Sequence, residues 1–148
     1  MPELAFEDFT PGRVFDLGTV TANREEMIEF ARRYDPQPFH LDEEAGRNSV
    51  LGGLCASGWY TSCLWMRAFY DEVLSKSTSQ GSPGGTEFGW PRPMFPVDVV
   101  RATAEVVSAR ESRSRPGLGL VEMRAQMLRD DDVLFRSQFT GMFAKRGA

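Results

Sequence analysis

Histidine is almost absent from this chain: among 148 residues there is one, His40. Cysteine is nearly as scarce, with only Cys55 and Cys63. One imidazole and two thiols make a poor ligand set, so no metal site is expected. A disulfide is not expected either. If both cysteines lie on one helix, their separation along it is roughly 12 Å, beyond the reach of an intramolecular bridge. An excess of positive charge is also missing. The chain has 17 basic against 21 acidic residues, a net charge of -4, which argues against a general nucleic-acid binder. Arg101, Arg110, Arg113 and Arg115 leave two readings open, a solvated hairpin end or a hold on a small anion. The start, "MPELAFEDFTPG", is acidic and lacks the basic segment of a secretory signal. The uncharged run 50–66 is slightly short for a membrane span, holds three glycines and is followed by Arg67. No membrane partner is expected, and the expected location is the cytoplasm.

What the chain does have is apolar residues, 41% of the total, enough for the core of one domain over residues 1–148. Val14 to Val20 reads as a strand after the Pro11-Gly12 turn. "NREEMIEFARRY" reads as a helix, capped by Asn23 with Glu26 three residues on, close to a capping box. Met27, Phe30, Ala31 and Tyr34 fall on one face of it. Pro36 ends that helix near Asp35, because the residue before a proline is disfavoured in helical geometry. Residues 50–66 feed a core helix expected from about Ser57 to about Leu74. A helix apolar on most sides needs wrapping, and strand-like segments follow. Val100, Ala102, Ala104 and Val106 alternate with polar residues, as do Val121, Met123, Ala125 and Met127. Asp130-Asp131-Asp132 turns between the last two strands, which therefore pair antiparallel. An antiparallel sheet curled around one central helix, an α+β architecture, satisfies this order.

Three places carry candidate chemistry. Asp35 and His40 form a carboxylate–imidazole pair in a loop stiffened by Pro36 and Pro38, a combination that handles protons. The same residues also suit a turn cap and an ordinary histidine, and residue types alone leave both readings open. "GGLCASGW" puts small residues at a helix start, where backbone N–H groups lack partners. There Ser57 can cap and Gly58 can offer its amide to an oxyanion, or the glycines serve close packing. Trp90, between β-like residues and Pro91, suits a ligand slot, a subunit contact or the core.

These residues resemble the MaoC-like dehydratases, the (R)-specific enoyl-CoA hydratases of the hotdog fold. That family carries Asp-x-Asn-Pro-x-His with an Asp and an Ala following. This chain has Asp35-Pro36-Gln37-Pro38-Phe39-His40, then Asp42 and Ala45. Gly58 follows Asp35 by 23 residues, where the family has the glycine whose amide binds the thioester oxygen. Gln37 stands where Asn is usual, Tyr34 where Gly is common, and Pro96-Val97-Asp98 where Pro-Gly-Asp is usual. The resemblance implies a hotdog fold and reversible hydration of a 2-enoyl-CoA to a 3-hydroxyacyl-CoA. Asp35 and His40 would hold and activate water, with Gly58 and Ser57 at the oxyanion. It implies no cofactor, an acyl-CoA partner, and a homodimer or larger even assembly, because a lone hotdog unit exposes a sheet edge. Two rivals share the fold. A hotdog thioesterase usually carries a carboxylate on or near the central helix, and residues 56–70 contain none. A non-catalytic acyl-CoA-binding subunit has no need of Asp35 and His40. The tunnel walls that set acyl length are expected from loops 41–55 and 75–93.

Overall fold

A computed structural model describes residues 2–148. The first strand, β1 (Val14–Thr21), leads into α1 (Arg24–Tyr34), a short α2 (Glu43–Arg47) and the long α3 (Gly58–Glu72). Four strands follow: β2 (Gly84–Gly89), β3 (Val99–Glu111), β4 (Leu118–Arg129) and β5 (Asp132–Ala144). They form one sheet in the order β1-β3-β4-β5-β2, with every neighbouring pair antiparallel. The sheet curls around α3, the expected hotdog arrangement.

The alternation in sequence becomes the two faces of this sheet. Val100, Ala102, Ala104 and Val106 on β3 and Val121, Met123, Ala125 and Met127 on β4 are all buried. Small alanines at Ala102, Ala104 and Ala125 let α3 approach, and Trp65 fills the space. Its Nε1 donates to the Thr103 carbonyl at 2.9 Å, and its ring stacks on Phe69 at 4.7 Å. Truncating a buried aromatic of this kind to alanine costs about 3–5 kcal/mol, so these two rings weigh heavily in holding the helix to the sheet.

The helix expected at residues 23–34 forms, and Asn23 caps it by accepting from the Glu26 amide at 2.9 Å. Two details differ. The Glu26 carboxylate takes the buried Tyr60 hydroxyl at 2.7 Å, where a capping box would send it back to Asn23. Tyr34 is 67% exposed: Met27 and Ala31 are the buried residues of the helix, and Tyr34, its last residue, lies outside the core. Cys55 lies ahead of α3 and only Cys63 lies on it; both are free. Arg110, Arg113 and Arg115 sit exposed around the β3–β4 hairpin. That hairpin is at the far end of a thirteen-residue strand, roughly 40 Å along β3 from its start.

Sequence reading missed α2. Asp42 caps it, accepting from the Ala45 amide at 2.9 Å, so the Asp–Ala spacing after His40 is a helix start. Gly46 lets this helix rest on the chain at Gly53, since a Cβ there would lie 2.4 Å from backbone atoms.

Val97 has φ of 66°, the left-handed region that a β-branched residue avoids. The turn is held by Asp98, which accepts from the Phe95 amide at 2.8 Å and from Arg129 Nη1 at 2.6 Å. The Val97 side chain is 82% exposed and buries little in return for its strain. Val97→Gly is therefore expected to stabilise the fold by about 1 kcal/mol, after the entropy of glycine offsets part of the relief. A urea midpoint that does not rise at unchanged slope contradicts this.

Candidate active site

The site begins where α1 is forced to stop. Asp35 follows its last residue with φ -153° and ψ 67°, out of helical geometry because Pro36 is next. A single tight turn, Pro38–His40, then buries the imidazole. The segment before α3 closes on it. The Cys55 amide donates to the Phe39 carbonyl at 3.3 Å and the Ala56 amide to the Met94 carbonyl at 2.8 Å. Residues from four stretches of chain thus meet at the start of the central helix.

His40 is 6% exposed. Its Nδ1 lies 2.8 Å from the Cys55 carbonyl oxygen. A carbonyl only accepts, so Nδ1 carries the proton. In the neutral ring the lone pair is then on Nε2. Nε2 faces Asp35 Oδ2 at 3.4 Å. The Cys55 Sγ stands 3.6 Å from Nδ1. Burial, then the Asp35 charge, pushes this thiol up to about 11, so it stays a neutral neighbour and not a nucleophile.

Asp35 is fixed from two sides. Gln37 Nε2 donates to Oδ1 at 2.7 Å, and Ser57 Oγ donates to Oδ2 at 2.7 Å. Burial acts to raise the Asp35 pKa, but the hydrogen bonds from Gln37 and Ser57 and the nearby His40 prevail, and the net shift is downward from 3.8. A carboxyl lowered on folding adds stability above its unfolded pKa, and this is lost as pH falls through the lowered value. Asp35 is therefore an anion at neutral pH.

Ser57 departs from its expected part. It stands at the N-cap of α3, but its side chain makes no cap bond; the hydroxyl donates its proton to the Asp35 carboxylate, a charge-assisted bond that holds the side chain toward Asp35. The first turn of α3 consequently keeps its amides. The first amide bonded along the helix is that of Thr61, to the Ser57 carbonyl at 3.1 Å. The Gly58 N–H ahead of it carries no protein acceptor among the described residues. Trp90, just past β2, lies on Gly58: a Cβ at that position would meet the indole at 2.6 Å. Trp90 Nε1 donates to Ser62 Oγ at 3.1 Å, and Ser62 donates to the Gly58 carbonyl at 3.0 Å. Trp90 is 37% exposed, so it is a cover on the helix start and not a core residue. Nothing in sequence pairs residues this far apart; a Trp-Pro step after an edge strand was the only local signal.

A cavity of about 440 Å³ runs along the neighbouring face of α3. Trp59, Cys63, Met66 and Phe69 line one side, and Phe88 on β2 and Phe139 on β5 line the other. Asp35 and His40 are not among its walls; they approach the helix start from the α1 side.

The most informative comparison among solved structures is a MaoC-like dehydratase from Rhodospirillum rubrum. It is 37% identical, with a TM-score of 0.88 over 98% of this chain and 99% of that one. An R-hydratase from Pseudomonas aeruginosa shares the fold at 17% identity, with a TM-score of 0.71 over 96% of this chain and 86% of that one. An uncharacterized protein, YdeM, of Bacillus subtilis is 27% identical over 78% of this chain and 82% of its own length. The family model described as "MaoC like domain" matches residues 7–126. With that match over most of its length, and the Asp35–His40 loop and the α3 start within it, the chain belongs to the MaoC-like domain family.

Proposed function

We propose that this protein is a hydro-lyase that reversibly adds water to a 2-enoyl-CoA thioester, giving a 3-hydroxyacyl-CoA. The observation that carries this reading is a carboxylate and an imidazole set together at the start of α3: Asp35 Oδ2 lies 3.4 Å from His40 Nε2. The carboxylate offers acceptor oxygens, and Nε2 offers a lone pair whenever the ring is neutral, so the two together can hold one water and take its proton. The description of the Rhodospirillum rubrum protein as a dehydratase agrees with this.

The chemistry follows from the geometry. Asp35 and His40 each accept one proton of the water and aim its oxygen. His40 Nε2 takes a proton as the oxygen bonds to C3 of the enoyl group. The π electrons move toward the thioester, and negative charge grows on its oxygen. The Gly58 amide, at the positive end of α3, receives that charge. The imidazolium formed on His40 is balanced by Asp35, an anion throughout. The proton then returns to C2 on the same face by way of the Asp35–His40 pair, so the pair ends as it began. Ser57 contributes by holding Asp35, and Gln37 holds its other oxygen.

The protein works as a homodimer or larger even assembly. β2 leaves one edge unpaired, and exposed Trp59, Phe88 and Trp90 adjoin it, a combination that favours covering by a second copy.

One assay separates hydratase from thioesterase and from a binding subunit. Pure protein is mixed with a short 2-enoyl-CoA, and the conjugated double bond and free thiol are followed together. The expected result is loss of the double bond without thiol, from a species larger than a monomer on size exclusion. Thiol release, or no reaction in either channel, overturns the proposal.

A further inference from the structure

We infer that Arg129 is a positioning residue for His40: it holds the strap of residues 93–98, and the strap fixes the tautomer of the imidazole through one peptide unit. This role rests on the proposed use of His40 as the base, and it adds the group that presets that base.

The peptide is the one between Cys55 and Ala56. Its carbonyl accepts from His40 Nδ1 at 2.8 Å. Its N–H donates to the Met94 carbonyl at 2.8 Å. Both bonds belong to one rigid plane, so whatever grips the N–H decides where the carbonyl points. With the N–H held on Met94, an oxygen faces the ring, and only the tautomer with its proton on Nδ1 fits. Nε2 is then bare on the Asp35 side, as proton abstraction requires. If the plane turned over, an N–H would face the ring and Nδ1 would become the acceptor. The proton would then sit on Nε2, which could take no other. Linked hydrogen bonds also polarise one another, so the Met94 bond makes the Cys55 oxygen a better acceptor. Met94, Cys55 and His40 are all buried, so water does not compete for these bonds.

Met94 lies in the irregular stretch between β2 and β3, where no strand ladder holds the backbone. Arg129, the last residue of β4, supplies the hold. Its Nη1 donates to the Pro93 carbonyl at 3.2 Å, one residue before Met94, and to Asp98 Oδ2 at 2.6 Å. The same Asp98 oxygen accepts from the Phe95 amide at 2.8 Å, one residue after Met94. Both neighbours of Met94 are thus pinned to one ion pair, which limits the directions its carbonyl can take. Phe95 also rests on Gly53, where a Cβ would meet its ring at 3.1 Å, and so presses the strap onto the segment that carries Cys55. The Arg129 and Asp98 side chains are only 25% and 20% exposed. A pair this shielded is screened less than a surface pair and keeps its geometry better.

His40 is the only histidine in the chain. Protein grown on ring-15N histidine therefore gives one pair of imidazole nitrogen signals, and their shifts report the tautomer. The spectra are taken at about pH 9, where an ordinary imidazole is neutral. In the wild type, Nδ1 is expected as the protonated nitrogen and Nε2 as the bare one. In Arg129→Met the tautomer ratio is expected to move toward Nε2–H by roughly three- to tenfold, the worth of one neutral hydrogen bond. Arg129→Lys keeps the charge and can donate to both oxygens, and is expected to restore the wild-type ratio. Asp98→Asn keeps an oxygen for both partners and loses the charge. It is expected to fall in between, and it carries the test if Arg129→Met does not fold. Arg124→Met removes a more exposed pair, with Glu105, from the same strand and is expected to leave the ring signals unchanged. On a 2-enoyl-CoA, Arg129→Met is expected to lower kcat by about tenfold or more, as for a displaced base, with KM within about threefold.

A wild-type ring protonated on Nε2 overturns this role, and so does a ratio that Arg129→Met and Asp98→Asn leave unchanged. An equal shift in Arg124→Met also overturns it, since any weakening of β4 would then move the ring. The ring signals need no turnover. If the enoyl-CoA assay fails while the ratio answers to Arg129, the preset imidazole stands and the hydratase reading falls.

Discussion

Asp35→Asn and His40→Gln are each expected to lower kcat on a 2-enoyl-CoA by roughly a hundred- to ten-thousand-fold, the range for loss of a positioned acid or base. Both replacements were chosen to keep the fold. Asparagine retains an oxygen for the Ser57 hydroxyl, which in the wild type donates to Oδ2 at 2.7 Å; its amide nitrogen replaces the oxygen that accepts from Gln37 Nε2, and Gln37 can meet it by turning its own side-chain oxygen inward. Glutamine retains an N–H for the Cys55 carbonyl, which otherwise is left without its partner at 2.8 Å. The physical claim is that the two groups act as one unit. His40 accepts the proton, and Asp35 makes the resulting imidazolium tolerable in a site where the histidine is 6% exposed. The double variant is therefore expected to be little worse than either single one, since residues that serve one step do not multiply. Steady-state kinetics with circular dichroism on the same samples checks this. A single variant within tenfold of wild type, correctly folded, removes that residue from the mechanism.

The fold was legible because its signals are periodic. Val100 to Val106 and Val121 to Met127 alternate, and alternation survives folding as two faces of a sheet. Asn23 and Pro36 bound α1 by local chemistry that needs no tertiary contact. Tyr34 departs from the pattern for a related reason: helical spacing says which face it shares, but not that this last residue of α1 lies beyond the core. The site was legible in part. The resemblance singled out Asp35, His40 and Gly58 as candidates, while residue types alone left them open. What no pattern could carry were side-chain directions. Ser57 at an N-cap position is expected to cap, yet its hydroxyl donates to a carboxylate 22 residues away in sequence, and that bond sets the direction of the side chain. Gln37, in a place where Asn is usual, reaches Asp35 Oδ1 at 2.7 Å, so its longer side chain still grips the carboxylate. The placement of Trp90 over Gly58 depends on β2 pairing with β5, a register set by the whole sheet.

The Gly58 amide can be tested apart from the glycine itself. Any Cβ at this position meets the Trp90 indole at 2.6 Å, so Gly58→Ala alone confounds the amide with a displaced tryptophan. The comparison belongs in a Trp90→Ala background, where the added carbon has room. There Gly58→Ala keeps the N–H and Gly58→Pro deletes it. Proline is tolerated at the first residue of a helix, where its missing N–H costs no helical bond. The preceding residue also fits: Ser57 has φ -53° and ψ 138°, within the extended range that a following proline demands. The two double variants should therefore unfold at similar temperatures. Their kcat values should not match. If the amide receives the thioester oxyanion, the proline variant is expected to be slower than the alanine variant by roughly a hundred- to a thousand-fold, the cost of one such donor. KM should change far less, because the charge that the amide meets develops in the transition state and not in the bound enoyl thioester. Equal kcat in the two would mean that the oxygen is held elsewhere. The amides of Trp59 and Tyr60 in the same helical turn, which meet no backbone acceptor among the described residues, would then be the groups to test.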